Sequence, residues 1–189
     1  LLMKFKAAIL ENIKEPLLID EIENDLLSEG QVLIKILQTG VCRSQVFEMD
    51  GQRGLDKFLP HLLGHEAIGL VVDCGDKVTK VKEGDYVVLS WLKSKGISAK
   101  PAKYFWKDKV VNSGQVTTFS EYSVCSENRC LKIAKEIAFE IGPTLGCALP
   151  TGYGLSITQP EFKTANYIGV VGLGGIGMAA LLGALDQSN

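Results

Sequence analysis

Two groups of residues in this sequence can do chemistry. The first is dispersed: Cys42 in Thr39-Gly-Val-Cys-Arg-Ser44, His65 in Gly64-His-Glu66, and Cys147 in Leu145-Gly-Cys-Ala148. Two thiolates and one imidazole can hold a tetrahedral metal ion through three protein ligands. The fourth position then stays open, which marks a catalytic zinc site rather than a closed structural one. Taken singly, each residue has a plainer reading. A lone cysteine in a reducing compartment is commonly a small buried hydrophobe, and a lone histidine a satisfied polar residue. The long separations are also far less specific than a closely spaced cysteine pair. The second group is compact: Gly172-Leu-Gly-Gly-Ile-Gly177 places Gly172, Gly174 and Gly177 at the G-x-G-x-x-G spacing. In that pattern the first glycine permits a tight turn, the second lets backbone approach a pyrophosphate, and the third lets the helix pack on its strand. A tight turn with no ligand is the plain alternative. The acidic residue that reads the ribose would lie about 20 residues further on. That position is beyond Asn189, so NAD and NADP both stay open.

These residues need elements to hold them. Lys4–Leu10, Gln31–Gln38, Ala67–Asp73, Asp85–Ser90 and Ser120–Val124 are short apolar or alternating runs. Turn signals separate them, including Ser28-Glu29-Gly30, Cys74-Gly75-Asp76 and Lys82-Glu83-Gly84-Asp85. Many short strands with glycine turns predict a barrel or sandwich. A short helix is expected at Ser44–Met49. After Pro143 small residues dominate, and Leu145–Ser156 predicts a helix. Asn166–Val171 is a short apolar run suited to a buried parallel strand, and Met178–Asp186 to an apolar helix. Strand, glycine turn and helix together read as the opening of a doubly wound domain, cut short at Asn189.

Composition narrows the classes. The 189 residues are 46% hydrophobic and 22% charged, with 20 Lys plus Arg against 22 Asp plus Glu and a net charge of -2. This is ordinary for a globular chain with a real core. No basic surplus points to nucleic acid or an anionic membrane. The lysines at 93, 95, 100, 103, 107 and 109 are spread through a Gly- and Pro-containing stretch and read as solvated surface. No apolar run is long enough to span a membrane. Leu1-Leu-Met-Lys-Phe-Lys6 carries charge where a secretory leader needs an apolar core, and Met3 reads as the natural start. Five cysteines are an odd count, which argues against a disulfide framework and for a reducing compartment, the cytoplasm.

Taken in order, several segments resemble the medium-chain, zinc-containing alcohol dehydrogenases. They are Thr39–Ser44, Gly64-His-Glu-Ala-Ile-Gly69, Glu83-Gly-Asp-Tyr-Val87, Leu145-Gly-Cys-Ala-Leu-Pro-Thr-Gly-Tyr-Gly154 and Gly172–Gly177. Thr117-Thr-Phe-Ser-Glu-Tyr122 is similar to a segment of the liver-type and glutathione-dependent formaldehyde dehydrogenase branch. The resemblance covers nearly the whole chain. It implies a mixed α+β architecture: a GroES-like β-barrel catalytic domain over residues 1–150, then the first strand, turn and helix of a Rossmann domain over 151–189. By position, it makes Cys42, His65 and Cys147 the catalytic zinc ligands. Glu66 matches the acidic residue just behind the metal, and Ser44 the hydroxyl that bonds the substrate oxygen. Arg43 matches a contact to the cofactor pyrophosphate, Thr151 a residue lying against the nicotinamide, and Gly172, Gly174, Gly175 and Gly177 the dinucleotide turn. Plainer roles exist beside these: Arg43 as surface charge, Ser44 as a helix N-cap, Glu66 as an ion-pair partner. The implied activity is hydride transfer between NAD or NADP and a small alcohol, aldehyde or ketone, in a protein that is a homodimer or homotetramer at full length.

The sequence also departs from that family. Many relatives hold a second, structural zinc with four clustered cysteines, but Trp91–Gly114 contains none. One catalytic zinc and no structural zinc are therefore expected, with a different, shorter loop in that lobe. Three residues after Cys42, Gln45 stands where many relatives have an Asp that orients the zinc-bound His. Five residues after Cys42, Phe47 stands where many have a proton-relaying His. Cys74, Cys125 and Cys130 match no ligand and read as packing residues. Two other functions remain beside the alcohol dehydrogenase: a zinc-free quinone or enoyl reductase of the same superfamily, which has no need of the three ligands, and a non-catalytic GroES-like scaffold.

Overall fold

In β1 (Lys4–Leu10) Phe5, Ala7 and Ile9 turn inward while Lys4 and Lys6 face water, the two-residue period of a half-buried strand. The computed structural model describes residues 1–187. Ser188 and Asn189, the end of the expected Rossmann opening, lie outside the described residues. After β1 come β2 (Leu18–Asn24), β3 (Gln31–Thr39), α1 (Arg43–Met49), β4 (His61–Leu62), β5 (Glu66–Cys74) and β6 (Tyr86–Ser90). Then follow β7 (Lys103–Trp106), β8 (Lys109–Asn112), β9 (Tyr122–Ser126), β10 (Cys130–Lys132) and α2 (Lys135–Glu140).

The strands form the expected barrel and a second sheet on it. Strands β1, β2, β7, β8 and β4 close in that order, β4 returning antiparallel to β1 and running parallel to β8. The second sheet runs β10, β6, β5, β3, β9. Val32, Leu33 and Ile34 of β3 are all fully buried. Leu33 packs with Phe5, Ile22, Tyr104 and Trp106. Val32 and Ile34 pack on the other side with Val71, Val87 and Leu89. A strand covered on both faces reads as a continuous apolar run, which is why this segment does not alternate.

The five expected strands are present with small boundary shifts, but others went unread. β2 carries Asp20, Glu21 and Glu23 and leaves Leu18 and Ile19 exposed, so its own pattern is weak; six paired positions on β1 hold it. The lobe from Trp91 to Gly114 is a loop only as far as Ala102. It continues as the β7–β8 hairpin, which helps to close the barrel. There Lys107 and Lys109 flank the Trp106 ring, 4.5 and 5.3 Å from its centroid.

The segment after α2 turns through a 3-10 helix at Gly142–Gly146 into α3 (Ala148–Thr158), then α4 (Glu161–Thr164) and α5 (Gly175–Gln187). The expected helix at Leu145 starts three residues late because the 3-10 turn occupies its front. Helices α3 and α5 lie in close contact. A Cβ on Gly152 would sit 2.1 Å from the Ile176 carbonyl oxygen and 2.7 Å from the Ala179 Cβ. The expected buried strand at Asn166–Val171 is a correction: the segment has no strand partner, and Tyr167 and Val171 are almost wholly exposed. A parallel strand is held by hydrogen bonds to its neighbours, and among the described residues none lies beside it. No helix among the described residues is long and apolar enough to cross a membrane.

The loop that precedes the hairpin is anchored by one carboxylate. Glu127 is buried and accepts the backbone N–H groups of Ile97 (2.7 Å), Thr79 (2.8 Å) and Lys80 (3.1 Å). Burial alone would raise its pKa, but these three donors and the Lys80 ammonium hold it below the ordinary glutamate value. A carboxylate depressed in the folded state adds stability that is fully present above its unfolded pKa and is lost as pH falls through the folded one. Glu127→Gln should therefore lower the unfolding free energy at pH 7 by about 2 kcal/mol. In urea titrations the gap from the parent should narrow below the ordinary glutamate range. A variant as stable as the parent at pH 7 would remove Glu127 from this role.

Candidate functional site

Cys42 precedes α1 in extended conformation (φ -106°, ψ 145°). His65 comes immediately before β5, and Cys147 lies between the 3-10 turn and α3. Three separate elements thus converge, and the metal-binding atoms of Cys42, His65 and Cys147 all lie within 4.8 Å of one another. A close backbone approach makes this possible. Ser90 of β6, which is buried, donates its hydroxyl to the Gly146 carbonyl at 2.6 Å. A Cβ at Gly146 would lie 2.3 Å from the Leu89 carbonyl oxygen and 2.8 Å from the Glu66 Cβ.

The chemistry of the cluster suits a cation. The Nε2 of His65 is buried with no hydrogen-bond partner, a costly arrangement for a polar atom unless something binds it. Burial, aided by the positive charge of Arg53, lowers the His65 pKa and favours the neutral ring, the form that coordinates metal. Burial, with the negative charges of Glu66 and Cys42, pushes the Cys147 thiol up to about 11. Two thiolates beside a carboxylate repel one another, and a divalent cation among them reverses that balance. Glu66 is itself buried, and its pKa is raised by that burial against the opposing N–H groups of Ala148 and Cys147. These residues fit a zinc ion bound by two thiolates and one imidazole.

The other expected residues gather around this cluster. Gln45 is buried in α1 and lies 2.6 Å from His65 through Nε2 and Nδ1. Ser44 is half-buried beside it, its Oγ accepting from Gln45 Nε2 at 3.2 Å. Arg43 is exposed, with its guanidinium 5.4 Å from the centre of the Phe47 ring. Thr151 stands one turn into α3; its N–H bonds the Cys147 carbonyl at 3.0 Å and its Oγ1 is buried without a partner. Gly172 adopts φ +91°, and a Cβ on Gly177 would lie 1.8 Å from the Gly172 carbonyl oxygen, so these two positions of the turn require glycine. Gly175 begins α5, whose first N–H groups have no partner within the helix. A single cleft of about 620 Å³ is bordered by Cys42, Arg43, Cys147, Gly172, Gly174 and Gly175. Metal cluster and glycine turn therefore open onto the same space. Cys125 and Cys130 are buried together, with sulfurs 3.5 Å apart, and Cys74 packs against the same core.

Sequence reasoning missed a second cavity of about 390 Å³, which His65 lines together with Glu48, Asp56, His61 and Thr117. His61 is buried and bonds Asp56 (Nε2 to Oδ2, 2.8 Å). Its only signal was its place four residues before His65 in Pro60-His-Leu-Leu-Gly-His65.

Comparison with known proteins places this geometry. Residues 28–135 match the alcohol dehydrogenase GroES-like domain family. The chain belongs to that family. It is 33% identical to the S-(hydroxymethyl)glutathione dehydrogenase of Synechocystis sp. over 96% of this chain and 56% of that protein. To the alcohol dehydrogenase class-3 of Dictyostelium discoideum it is 29% identical, over 96% and 54%. The chain thus spans about half the length of the curated relatives it matches. Among solved structures, an alcohol dehydrogenase zinc-binding domain protein from Burkholderia ambifaria superposes with a TM-score of 0.87 at 23% identity, over 98% of this chain and 57% of that one. The benzyl alcohol dehydrogenase of Acinetobacter calcoaceticus gives 0.77 at 24% identity, over 98% and 56%. These likenesses establish the GroES-like fold.

The packing at Gly146 yields a direct check. Gly146→Ala forces a methyl group against the Leu89 carbonyl and Glu66, neither of which can swing aside. We expect a loss of about 1–3 kcal/mol in urea unfolding, as for other overpacked sites. Zinc uptake should fall as well, because Cys147 is the next residue. Wild-type stability in the variant would show that β6 and the 3-10 turn have room to separate.

Proposed function

We propose that this chain is the catalytic part of a zinc-dependent alcohol dehydrogenase, transferring hydride between an alcohol or carbonyl substrate and NAD or NADP. Residues 1–150 form its catalytic domain, and 151–189 the beginning of its dinucleotide-binding domain. The observation that carries the reading is the buried, unpartnered Nε2 of His65. It meets two cysteine sulfurs beside a cleft that also contains the glycine turn. Cys42, His65 and Cys147 would hold the zinc, which would supply a Lewis acid, and the nicotinamide would supply the hydride chemistry.

The protein's own groups then have definite tasks. Ser44, two residues after Cys42, accepts a hydrogen bond from the substrate hydroxyl and, during oxidation, takes that proton as it passes its own hydroxyl proton to water in the cleft; reduction reverses the relay. Glu66 would stand behind the metal and supply it a nearby carboxylate, held by the Ala148 N–H at 3.4 Å. Arg43 and the start of α5 at Gly174, Gly175 and Gly177 hold the pyrophosphate by charge and backbone N–H groups. Thr151 supports the nicotinamide ring from α3. The Trp91–Gly114 lobe, which has no cysteine, carries no second zinc. The substrate is a small alcohol, aldehyde or ketone. The full-length protein works in the cytoplasm as a homodimer or homotetramer, a reading supported by its five free cysteines and by its family.

Elemental analysis of the full-length protein should find about one zinc per chain. Cys42→Ser should lose that zinc and all turnover while keeping the fold. A value near two would put a second metal in the lobe. A value near zero under reducing conditions would favour the zinc-free reductase or the scaffold instead.

A further inference from the structure

Gln45 makes two contacts at the metal cluster that cannot both survive metal binding. Its Oε1 accepts the Cys42 N–H at 2.9 Å, and its Nε2 lies 2.6 Å from His65 Nδ1. An amide NH₂ only donates. In this arrangement Nδ1 must accept, so the ring hydrogen sits on Nε2, where it has no partner. A neutral imidazole that coordinates through Nε2 carries its hydrogen on Nδ1 instead. That N–H would then point at the amide NH₂, donor against donor. Turning the amide by 180° brings Oε1 to Nδ1–H but sets the NH₂ against the Cys42 N–H. Whichever way the amide faces, one oxygen confronts two donors.

We propose that Gln45 is a positioning residue that couples the His65 tautomer to metal seating. Its single amide oxygen serves either the Cys42 N–H or the His65 Nδ1–H, so the metal is held more loosely than a carboxylate at this position would hold it. The inference rests on the zinc reading given above. The contact given up is the reach-back bond to the residue before α1, the second half of a capping box. Metal binding is therefore set against the entry of the very helix that follows Cys42. The same turn changes the group facing Ser44 Oγ, 3.2 Å away, from a donor into an acceptor. A carboxylate would accept from Cys42 and from His65 together and remove the conflict.

The first test needs no variant. In the full chain labelled with 15N-histidine and stripped by a chelator, His65 should be the Nε2–H tautomer; added zinc should convert it to Nδ1–H. Gln45→Glu, nearly the same shape, should show Nδ1–H with and without zinc. In competition against a chromophoric chelator, that variant should bind zinc about 10- to 100-fold more tightly than the parent. The added charge alone could tighten binding, but it would not account for the tautomer of the stripped parent. An Nδ1–H ring in the stripped parent, or equal zinc affinity in the two proteins, overturns the inference while leaving the zinc reading intact. If neither protein takes up zinc and the His65 signals do not respond to it, both fall together.

Discussion

A buried imidazole nitrogen without a hydrogen-bond partner is expensive to keep, and this fold keeps one at His65 Nε2. Much of the architecture exists to hold that atom near two sulfurs. The β3–β5–β6 sheet fixes Glu66 and the residue before it. Ser90 at the end of β6 ties down the Gly146 carbonyl and so sets the start of α3. On the other flank, Gln45 pins both the Cys42 backbone and the His65 ring. Each of the three candidate ligands, Cys42, His65 and Cys147, stands at the end of an element, where direction is well defined but the backbone is free to turn. Such a cluster needs no large movement to seat an ion, so little ordering entropy has to be overcome when it does.

The helical segment that follows extends this logic from metal to cofactor. Helix α3 begins immediately after Cys147 and packs so closely on α5 that Gly152 has no room for a Cβ. The glycine turn at the head of α5 is therefore tied through α3 to a metal ligand. A shift of α3 would move both together, which keeps the distance between them fixed. On the proposed function, that is what passing a hydride between a substrate at the cluster and a cofactor at the glycine turn requires, because small misplacements are costly.

How much of this was legible in the sequence follows from which interactions are local. Residues next to glycine or small side chains, such as Cys42, His65 and Cys147, stood out, and the family resemblance ordered them. Their convergence within 4.8 Å is a property of packing between distant segments that no spacing rule expresses. Strands with clear alternation or long apolar runs, β1, β3 and β5, were readable. The acidic β2 and the Lys-rich β7–β8 hairpin were not, because their pairing partners decide their state. Asn166–Val171 failed in the opposite sense: its composition is right for a strand, but strand formation is a relation to neighbours. The residue type of Gln45 was evident, whereas its two opposed contacts depend on a distance to His65 twenty positions away.

On the proposed reading, the two departures in α1 change the electrostatics of the centre in one direction. Two thiolates neutralise a divalent ion, and Gln45 adds no charge where an aspartate would leave the group net negative. An ion without that extra negative charge nearby holds its ligands less firmly, yet it keeps more of its pull on charge developing at the open position. Phe47 removes a titratable group from the same helix and lies partly exposed under the Arg43 guanidinium, so the cofactor-facing side loses nothing positive. Among the described residues, Glu66 is then the carboxylate whose charge acts on Cys147, with its own pKa already raised by burial. On that reading, the centre exchanges tightness of metal binding for Lewis acidity.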